Sequence, residues 1–418
     1  MEKVKSLSYS IFFWLVAIII LTLYNLTPAL NSFDTEYYIL AGQNLLDGKI
    51  DCLRTPVYPL LCQAFIKMFG PEGLPTAMTI FQSLIYLISL VSLQHIATYT
   101  IKNKAIRNIT LFFYILCIAP GWCNELLTES LSISGCVIMA DLVLSFVYKP
   151  SIARNFALHL FLILLVFLRP TFIIFFAILP VVWIFHRTQL KHKAISLVLT
   201  LICMLCFGAY CSAYKNVYGR LGSSATLVFN KIYDAHRGGY WDTSSVTNPD
   251  SKKWIDYIDK NYTGDYGIFY HTFTNYPESM VPISNGCDEI IQAHKTEWRK
   301  YRIQLFASSC DKRMLAAVNT HTPLSSALFL STLFLSFPLS LFYLIIIFAV
   351  IALLVYFITH KTIPIGHFLI ISAVIAYTVG IVLYTSDSHE RSLLPVYPLF
   401  VILLGSAFEK ATTFLNTK

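Results

Sequence analysis

Two carboxylates stand two residues apart directly after the first apolar run of the chain, in the segment FDTEYY at residues 33–38. At a membrane surface, a carboxylate such as Asp34 or Glu36 could act as a general base or hold a divalent cation. The same spacing also fits the start of an amphipathic helix in which Asp34 is the N-cap and which ends near residue 48. The two interpretations are compatible, so the segment predicts a helix start that could also do chemistry.

One arginine, Arg54, precedes the proline-containing segment TPVYP at residues 55–59, which includes Tyr58. A guanidinium group beside a stiff segment suits bidentate capture of a phosphate. The alternative is a loop arginine that pairs with a lipid headgroup.

Three more polar sites interrupt apolar sequence. Glu129 begins one apolar run, where the helix dipole alone would favour an acid, and Arg169 separates two short runs. The segment DSHER, before the last apolar run, contains His389, Glu390 and Arg391. Here a histidine could transfer protons and an arginine could bind an anion. A solvated loop is the alternative.

The elements that must position these residues follow from the composition. Of 418 residues, 56% are hydrophobic and only 13% are charged, against roughly 25% charged in an average soluble domain. A soluble fold could not hide so much apolar surface, because one core stops growing at about 250–300 residues. Lipid must therefore be part of the solvent, and we expect an all-α polytopic membrane protein. The net charge of +8 is explained by short loops that set topology, so nucleic acid is not an expected partner.

Apolar runs give the number of spans. A membrane-spanning helix needs about 20 mostly apolar residues, and we expect about 10 such helices. The apolar runs are residues 9–29, 75–98, 106–120, 130–147, 155–168, 171–186, 194–214, 338–359, 364–384 and 392–408.

Two segments outside the predicted spans are long. One is the first outer loop, residues 31–74, and the other is residues 215–322, whose tyrosines and tryptophans indicate a folded segment. The chain therefore divides into an N-terminal membrane module (1–214), an external segment (215–322) and C-terminal membrane helices (323–418). An amphipathic stretch at 323–337 could lie at the membrane interface or form a further span.

Basic residues orient the spans. With the N-terminus inside, the predicted cytoplasmic pieces carry thirteen basic and two acidic residues. Because cytoplasmic loops are enriched in Lys and Arg, we expect both termini in the cytoplasm and the polar clusters on the opposite face. We expect a bacterial inner membrane with that face in the periplasm, where a disulfide between Cys287 and Cys310 is permitted. Acids and arginines then converge near lipid headgroups, as a transferase that uses a group carried on a phospholipid would need.

Five segments, in order along the chain, resemble those of the GT-C membrane glycosyltransferases, the superfamily of protein O-mannosyltransferases and lipid A aminoarabinose transferases. The segments are DTEYY with LLDG at 34–48, RTPVYPL at 54–60, LTESL at 127–131, LRPT at 168–171 and ER with LPVYP at 390–398. The resemblance does not extend to the external segment.

The resemblance implies a sugar donor carried on a polyprenyl phosphate, inversion at the anomeric carbon, and a lipid, glycan or protein acceptor. Many members have adjacent Asp and Glu, which Thr35 separates here, so the role of assisting the acceptor carries over to Asp34 alone. Arg54 and Arg391 match the donor-phosphate contacts. The resemblance leaves a divalent cation open. The supporting residues of the implied site are Glu36, Tyr58, Glu129, Arg169, His389 and Glu390.

Two other classes stay open, a lipid-linked glycan transporter and an O-antigen-type polymerase or ligase. Transporters commonly have inverted repeats and broken helices near the membrane midplane, whereas this sequence has no paired halves and its polar groups fall at one face. A polymerase or ligase also has many spans and one long outer loop, but it does not need an acid directly after the first helix.

Overall fold

The computed structural model describes residues 2–25, 33–117, 120–185, 190–262, 267–310, 312, 338–360, 364–384 and 389–416. In the N-terminal half the helices are α1 (Glu2–Tyr24), α2 (Phe33–Leu46), α3 (Val57–Thr100), α4 (Lys104–Cys117), α5 (Glu129–Tyr148), α6 (Ile152–Leu168), α7 (Phe175–Phe185) and α8 (Leu190–Tyr218). They continue with α9 (Thr226–Arg237), α10 (Pro249–Asn261), α11 (Gly267–Asn275), α12 (Met280–Ala293), α13 (Lys295–Cys310), α14 (Leu339–His360), α15 (Ile365–Tyr384), α16 (His389–Ser392) and α17 (Tyr397–Asn416).

The chain is an integral membrane protein built from helices. Among the described residues, seven helices are long and apolar enough to cross a membrane, and three shorter apolar helices accompany them. The all-helical polytopic fold expected from the sequence is confirmed, while the number of about ten spans stays a prediction. The predicted amphipathic stretch at 323–337 lies outside the described residues.

Large apolar side chains cover the outside of the membrane helices. On α14, for example, Ile347 and Phe348 are 55% and 61% exposed, and Ile358 is 63% exposed. A soluble protein rarely leaves so continuous an apolar face in water. Lipid tails solvate such a face without cost, and the helix satisfies its own backbone hydrogen bonds.

The first outer loop folds back onto the membrane helices. Its helix α2 packs closely on α3 at Gly42, where an added Cβ would lie 2.5 Å from the carbonyl oxygen of Pro59. The Gln63 side-chain amide also donates to the carbonyl oxygen of Ile39 at 2.7 Å. Helix α3 begins at Val57, well before the predicted span at 75–98, so the second half of the predicted loop is helical. It bends at Gly70, whose φ of 77° is accessible to glycine without strain.

The external segment has a hydrophobic core of its own. Side chains of α9 to α12 form this second core, which also takes in Tyr214 and Tyr218 at the end of α8 and Cys52 of the first outer loop. Helix α8 runs without a break through the predicted boundary at 214/215. In the described part of the chain, no disulfide joins Cys287 and Cys310. The external segment is therefore folded and packs directly against the loop that follows α2.

Candidate active site

Asp34 lies in the first turn of α2, at the centre of a cluster of charged side chains. The helix already begins at Phe33, so Asp34 follows the helix start rather than capping it. Each of its carboxylate oxygens accepts a hydrogen bond from an arginine: Oδ1 from Arg54 Nη2 at 2.6 Å and Oδ2 from Arg391 Nη2 at 3.3 Å. The Asp34 side chain is 31% exposed, so a molecule at the surface could reach it.

Arg54 is held in place by an aromatic side chain one helical turn after Asp34. Its Nη1 donates to the hydroxyl of Tyr38 at 3.2 Å, and its guanidinium carbon lies 4.3 Å from the centre of the Tyr38 ring. A cation over an aromatic face is attracted by the ring quadrupole. The Tyr58 ring packs edge-on behind Tyr38 at 4.7 Å and is fully buried. Tyr58 therefore supports Tyr38 and does not itself face the cluster.

Arg391, on α16, connects Asp34 to a second carboxylate. Its Nε donates to Glu129 Oε1 at 2.8 Å, while its Nη2 reaches Asp34. The same Glu129 oxygen accepts from Arg169 Nη2 at 3.2 Å. Glu129 is only 1% exposed. Asp34, Arg54, Glu129, Arg169 and Arg391 thus form one continuous ionic network, which we call the arginine–carboxylate cluster.

Two threonines next to these charged residues fix the backbone positions. The Thr35 hydroxyl donates to the carbonyl oxygen of Leu126 at 3.2 Å, close to Glu129 in the chain. The Thr55 hydroxyl donates to the carbonyl oxygen of Leu168 at 3.3 Å, directly before Arg169. Both threonines are buried. The two threonines therefore tie the segments that bear Asp34 and Arg54 to the segments that bear Glu129 and Arg169.

The cluster carries an excess of positive charge, since three guanidinium groups face two carboxylates. Burial raises the pKa of Asp34, but Arg54 and Arg391 outweigh this effect and leave the pKa below its usual value. The carboxylate is therefore ionised at neutral pH. Arg54 Nε and Arg169 Nη1 are buried donors without a hydrogen-bond partner in the described part of the chain. The cluster thus has donor capacity beyond its own carboxylates, as a binding site for an anion requires.

The structure brings together five of the predicted site residues. Asp34, Arg54, Glu129, Arg169 and Arg391 meet in the cluster. Glu36, two residues after Asp34 on α2, is exposed and takes no part in the ion pairs of the cluster. Its supporting role therefore stays a prediction.

The side chains of His389 and Glu390 lie outside the described residues, so their supporting roles stay predictions.

Sequence reasoning missed Tyr38 and Asp51 as parts of the site. Tyr38 could have been found from its spacing of four residues after Asp34, which places both on one helix face. Asp51 gave no such signal, because its carboxylate bonds the backbone of its own turn and the hydroxyl of Tyr270, 219 positions away.

A divalent cation does not fit the described side chains of the cluster. The described residues contain no group of three or more His, Cys, Asp or Glu side chains that could hold a metal ion. Both oxygens of Asp34 already accept from guanidinium groups, and Glu129 faces two arginines. Guanidinium groups at these positions would repel a cation, whereas they would attract a phosphate.

The helices of this chain adopt a fold that solved oligosaccharyltransferase structures share. Two solved structures with this fold are the archaeal oligosaccharyltransferase AglB from Archaeoglobus fulgidus, in complex with an inhibitory peptide and a dolichol-phosphate, and the Archaeoglobus fulgidus oligosaccharyltransferase in the apo form. Each superposes with a TM-score of 0.51 at 11% sequence identity. The superpositions cover 99% and 98% of this chain but only 52% and 51% of the other, so the chain spans about half the length of these structures. The chain matches no protein-family model and no curated protein sequence.

Proposed function

We propose that this protein is a glycosyltransferase that moves a sugar from a polyprenyl-phosphate donor to an acceptor at the non-cytoplasmic face of the membrane. The observation that carries the proposal is the pairing of one accessible, ionised carboxylate, Asp34, with the two arginines Arg54 and Arg391. The carboxylate suits an acceptor hydroxyl, and the arginines suit a phosphate. The carboxylate for the acceptor and the guanidinium groups for the phosphate therefore lie within hydrogen-bonding distance of each other.

The donor phosphate would bind the guanidinium groups of the cluster. Arginine forks match phosphate oxygens bidentately, and such charge-assisted hydrogen bonds are about twice as strong as neutral ones. Arg391 is 36% exposed and Arg54 is 17% exposed, so the former is the more accessible of the two. As the bond from the sugar to the phosphate breaks, these groups would stabilise the negative charge that develops on the leaving phosphate.

The polyprenyl chain would lie in an apolar groove between α7 and α15. This groove has a volume of about 320 Å³, and its lining is almost entirely apolar. Near it, the hydroxyls of Thr171 and Tyr377 lie 3.2 Å apart, and Thr171 follows Arg169 by two residues. The groove is lined by Ile174, Ala177, Ile178, Val181, Ser372, Ile375 and Ala376.

Asp34 would act on the acceptor. A hydroxyl is a poor nucleophile at neutral pH, and a positioned base commonly contributes about 10²–10⁴-fold. In the proposed step the acceptor oxygen forms a bond to the anomeric carbon, the bond from that carbon to the phosphate oxygen breaks, and the hydroxyl proton passes to Asp34. The polyprenyl phosphate leaves with the electron pair. A lipid, glycan or protein acceptor is compatible with this step.

The position of the arginine–carboxylate cluster favours a glycosyltransferase over a transporter. Glu129 begins α5, Arg169 directly follows α6, and Asp34 lies in the first turn of α2, so the charged groups gather at helix ends. Transporter sites lie near the membrane midplane. An O-antigen-type polymerase or ligase, also a glycan-transferring enzyme, is the second candidate.

The orientation of the membrane helices decides which side of the membrane the cluster faces, and cysteine labelling can test it. We propose a bacterial inner membrane, with both termini cytoplasmic and the cluster at the periplasmic face. Single cysteines placed at Asp250 and Leu190, which are both exposed, should respond differently to an impermeant thiol reagent added from the periplasmic side. The reagent should label position 250 and leave position 190 unlabelled. The reverse pattern would place every proposed site residue in the wrong compartment.

Substitution of the arginines tests the proposed function. Arg54→Ala and Arg391→Ala should each lower kcat/KM for a polyprenyl-phosphate sugar by at least about tenfold, because each removes charge-assisted hydrogen bonds to the phosphate. Lysine at the same positions keeps the charge but loses the planar fork, so a smaller loss is expected. Steady-state kinetics with varied donor concentration provides the measurement. If both alanine variants keep the wild-type kcat/KM, the donor phosphate does not bind at Arg54 and Arg391.

Chelation should leave the activity unchanged. The arginines already supply the positive charge that a cation would bring, and they occupy the carboxylates that would bind it. Transfer rates measured with and without excess EDTA should therefore agree. A loss of activity that Mg²⁺ or Mn²⁺ restores would show that a metal ion displaces an arginine from Asp34 or Glu129 during the reaction.

A further inference from the structure

The turn that carries Arg54 is organised by a buried carboxylate that does not belong to the arginine–carboxylate cluster. Asp51 is only 1% exposed. Its Oδ1 accepts hydrogen bonds from the backbone N–H groups of Leu53 at 2.9 Å and of Arg54 at 2.7 Å. Aspartate side chains commonly shape turns through bonds of this kind to the backbone two and three residues on. Asp51 therefore fixes the peptide from which the Arg54 side chain extends.

The other oxygen of this carboxylate is held by the external segment. Asp51 Oδ2 accepts from the hydroxyl of Tyr270, on α11, at 2.6 Å. Burial, and after it the negative charge of Asp51, raise the pKa of Tyr270 far above its usual value, so the phenol stays protonated and donates. The Tyr270 ring also packs against the ring of Tyr37 on α2, with centroids 4.7 Å apart. One side chain of the external segment thus contacts both the turn that carries Arg54 and the helix that carries Asp34.

Other hydrogen bonds, from residues of α8 and the start of α9, reach backbone carbonyl groups of this turn. The hydroxyl of Tyr214 donates to the carbonyl oxygen of Cys52 at 2.8 Å, and that of Tyr218 donates to the carbonyl oxygen of Ile50 at 2.7 Å. The backbone N–H of Ala225 also donates to the Cys52 carbonyl at 2.7 Å. These bonds hold the turn against α8 and α9. The bond from Tyr270 differs from them because it acts on the side chain that orients the Arg54 amide.

We propose that Asp51 and Tyr270 are positioning residues for Arg54. Through these two residues, helix α11 of the external segment fixes the position of the Arg54 guanidinium. The part of this inference that concerns the donor phosphate rests on the proposed function. Loss of the Tyr270 hydroxyl would free one oxygen of Asp51 and loosen the turn. The Arg54 guanidinium would then lose its fixed position between Asp34 and Tyr38, and a displacement of about 1 Å is enough to weaken catalysis substantially.

Hydrogen exchange tests the positioning without reference to any activity. In the purified full-length protein, Tyr270→Phe should speed exchange of the Leu53 and Arg54 amides by about tenfold, because a hydrogen bond to a charged group is removed from their acceptor. Tyr257→Phe is the matched control, since Tyr257 lies in the same segment but is exposed, at 38%. It should leave both amides unchanged. Equal exchange in the Tyr270→Phe variant and the wild type would overturn the proposal.

A double-variant cycle tests the effect on the proposed reaction. Tyr270→Phe should lower kcat/KM for a polyprenyl-phosphate sugar by about tenfold in the wild type and by less than about twofold in Arg54→Ala, because it acts only through the arginine. Equal losses in both backgrounds would overturn the proposal, since a general structural defect would persist without Arg54. If the wild-type protein transfers no sugar, the proposed function fails, and the exchange measurement alone decides whether Asp51 and Tyr270 fix the turn.

Discussion

Asp34→Asn is expected to lower the turnover of sugar transfer by at least about 10²-fold while the protein remains folded and inserted. The substitution keeps the shape of the side chain but removes the charge that would accept the acceptor proton. The wild-type carboxylate is ionised at neutral pH, because Arg54 and Arg391 hold its pKa below the usual value against the effect of burial. Turnover at saturating donor, compared at equal amounts of inserted protein, gives the result.

The matched control for this variant is Glu36→Gln, two residues further along α2. Glu36 is exposed and takes no part in the ion pairs of the cluster, so its neutral variant should retain nearly full activity. Near-normal transfer by Asp34→Asn would rule out a catalytic role for Asp34.

Glu129→Gln is expected to destabilise the protein by about 3 kcal/mol and to reduce activity as well. Removal of one member of a buried ionic group costs about 3–5 kcal/mol, because the remaining charges stay buried without compensation. Glu129 is 1% exposed, and one of its oxygens accepts from both Arg169 and Arg391. The partial exposure of the two arginines places the expected cost at the lower end of that range.

Thermal unfolding in detergent, followed by the loss of helical signal, measures this destabilisation. Glu72→Gln is the matched control, because Glu72 lies on α3 and is exposed. It should unfold at the wild-type temperature. If Glu129→Gln also unfolds at that temperature, Glu129 does no more than favour the N-terminus of α5 through the helix dipole, the simpler explanation that the sequence allowed.

The sequence was informative where a residue's role follows from its position along the chain. Asp34 stands directly after the first apolar run, and Arg54 precedes a proline-containing segment, so both could be found by inspection. The excess of basic residues in the predicted cytoplasmic loops indicated that Glu129, Arg169 and Arg391 lie together at the opposite face of the membrane. The fold class also followed from composition, because only lipid can solvate so much apolar surface.

The pairings within the cluster could not be derived in the same way. Arg391 bonds Asp34 across 357 positions in the chain and Glu129 across 262, and only the packing of α2, α5 and α16 brings them together. The role of Asp51 was also hidden, because it depends on Tyr270, which lies 219 positions away in a segment that the resemblance did not cover. Single-residue motifs reveal candidate groups, whereas tertiary packing decides which of them share a hydrogen bond.

Transfer of sugar from a polyprenyl phosphate at the arginine–carboxylate cluster can be measured directly. The most direct measurement incubates the purified protein in liposomes with a panel of labelled polyprenyl-phosphate sugars and an extract of candidate acceptors, and follows the label. We expect the wild type to move label from at least one donor to an acceptor, and Asp34→Asn, inserted to the same extent, to move almost none. Transfer from no donor by a folded wild-type protein, or equal transfer by Asp34→Asn, would contradict this expectation.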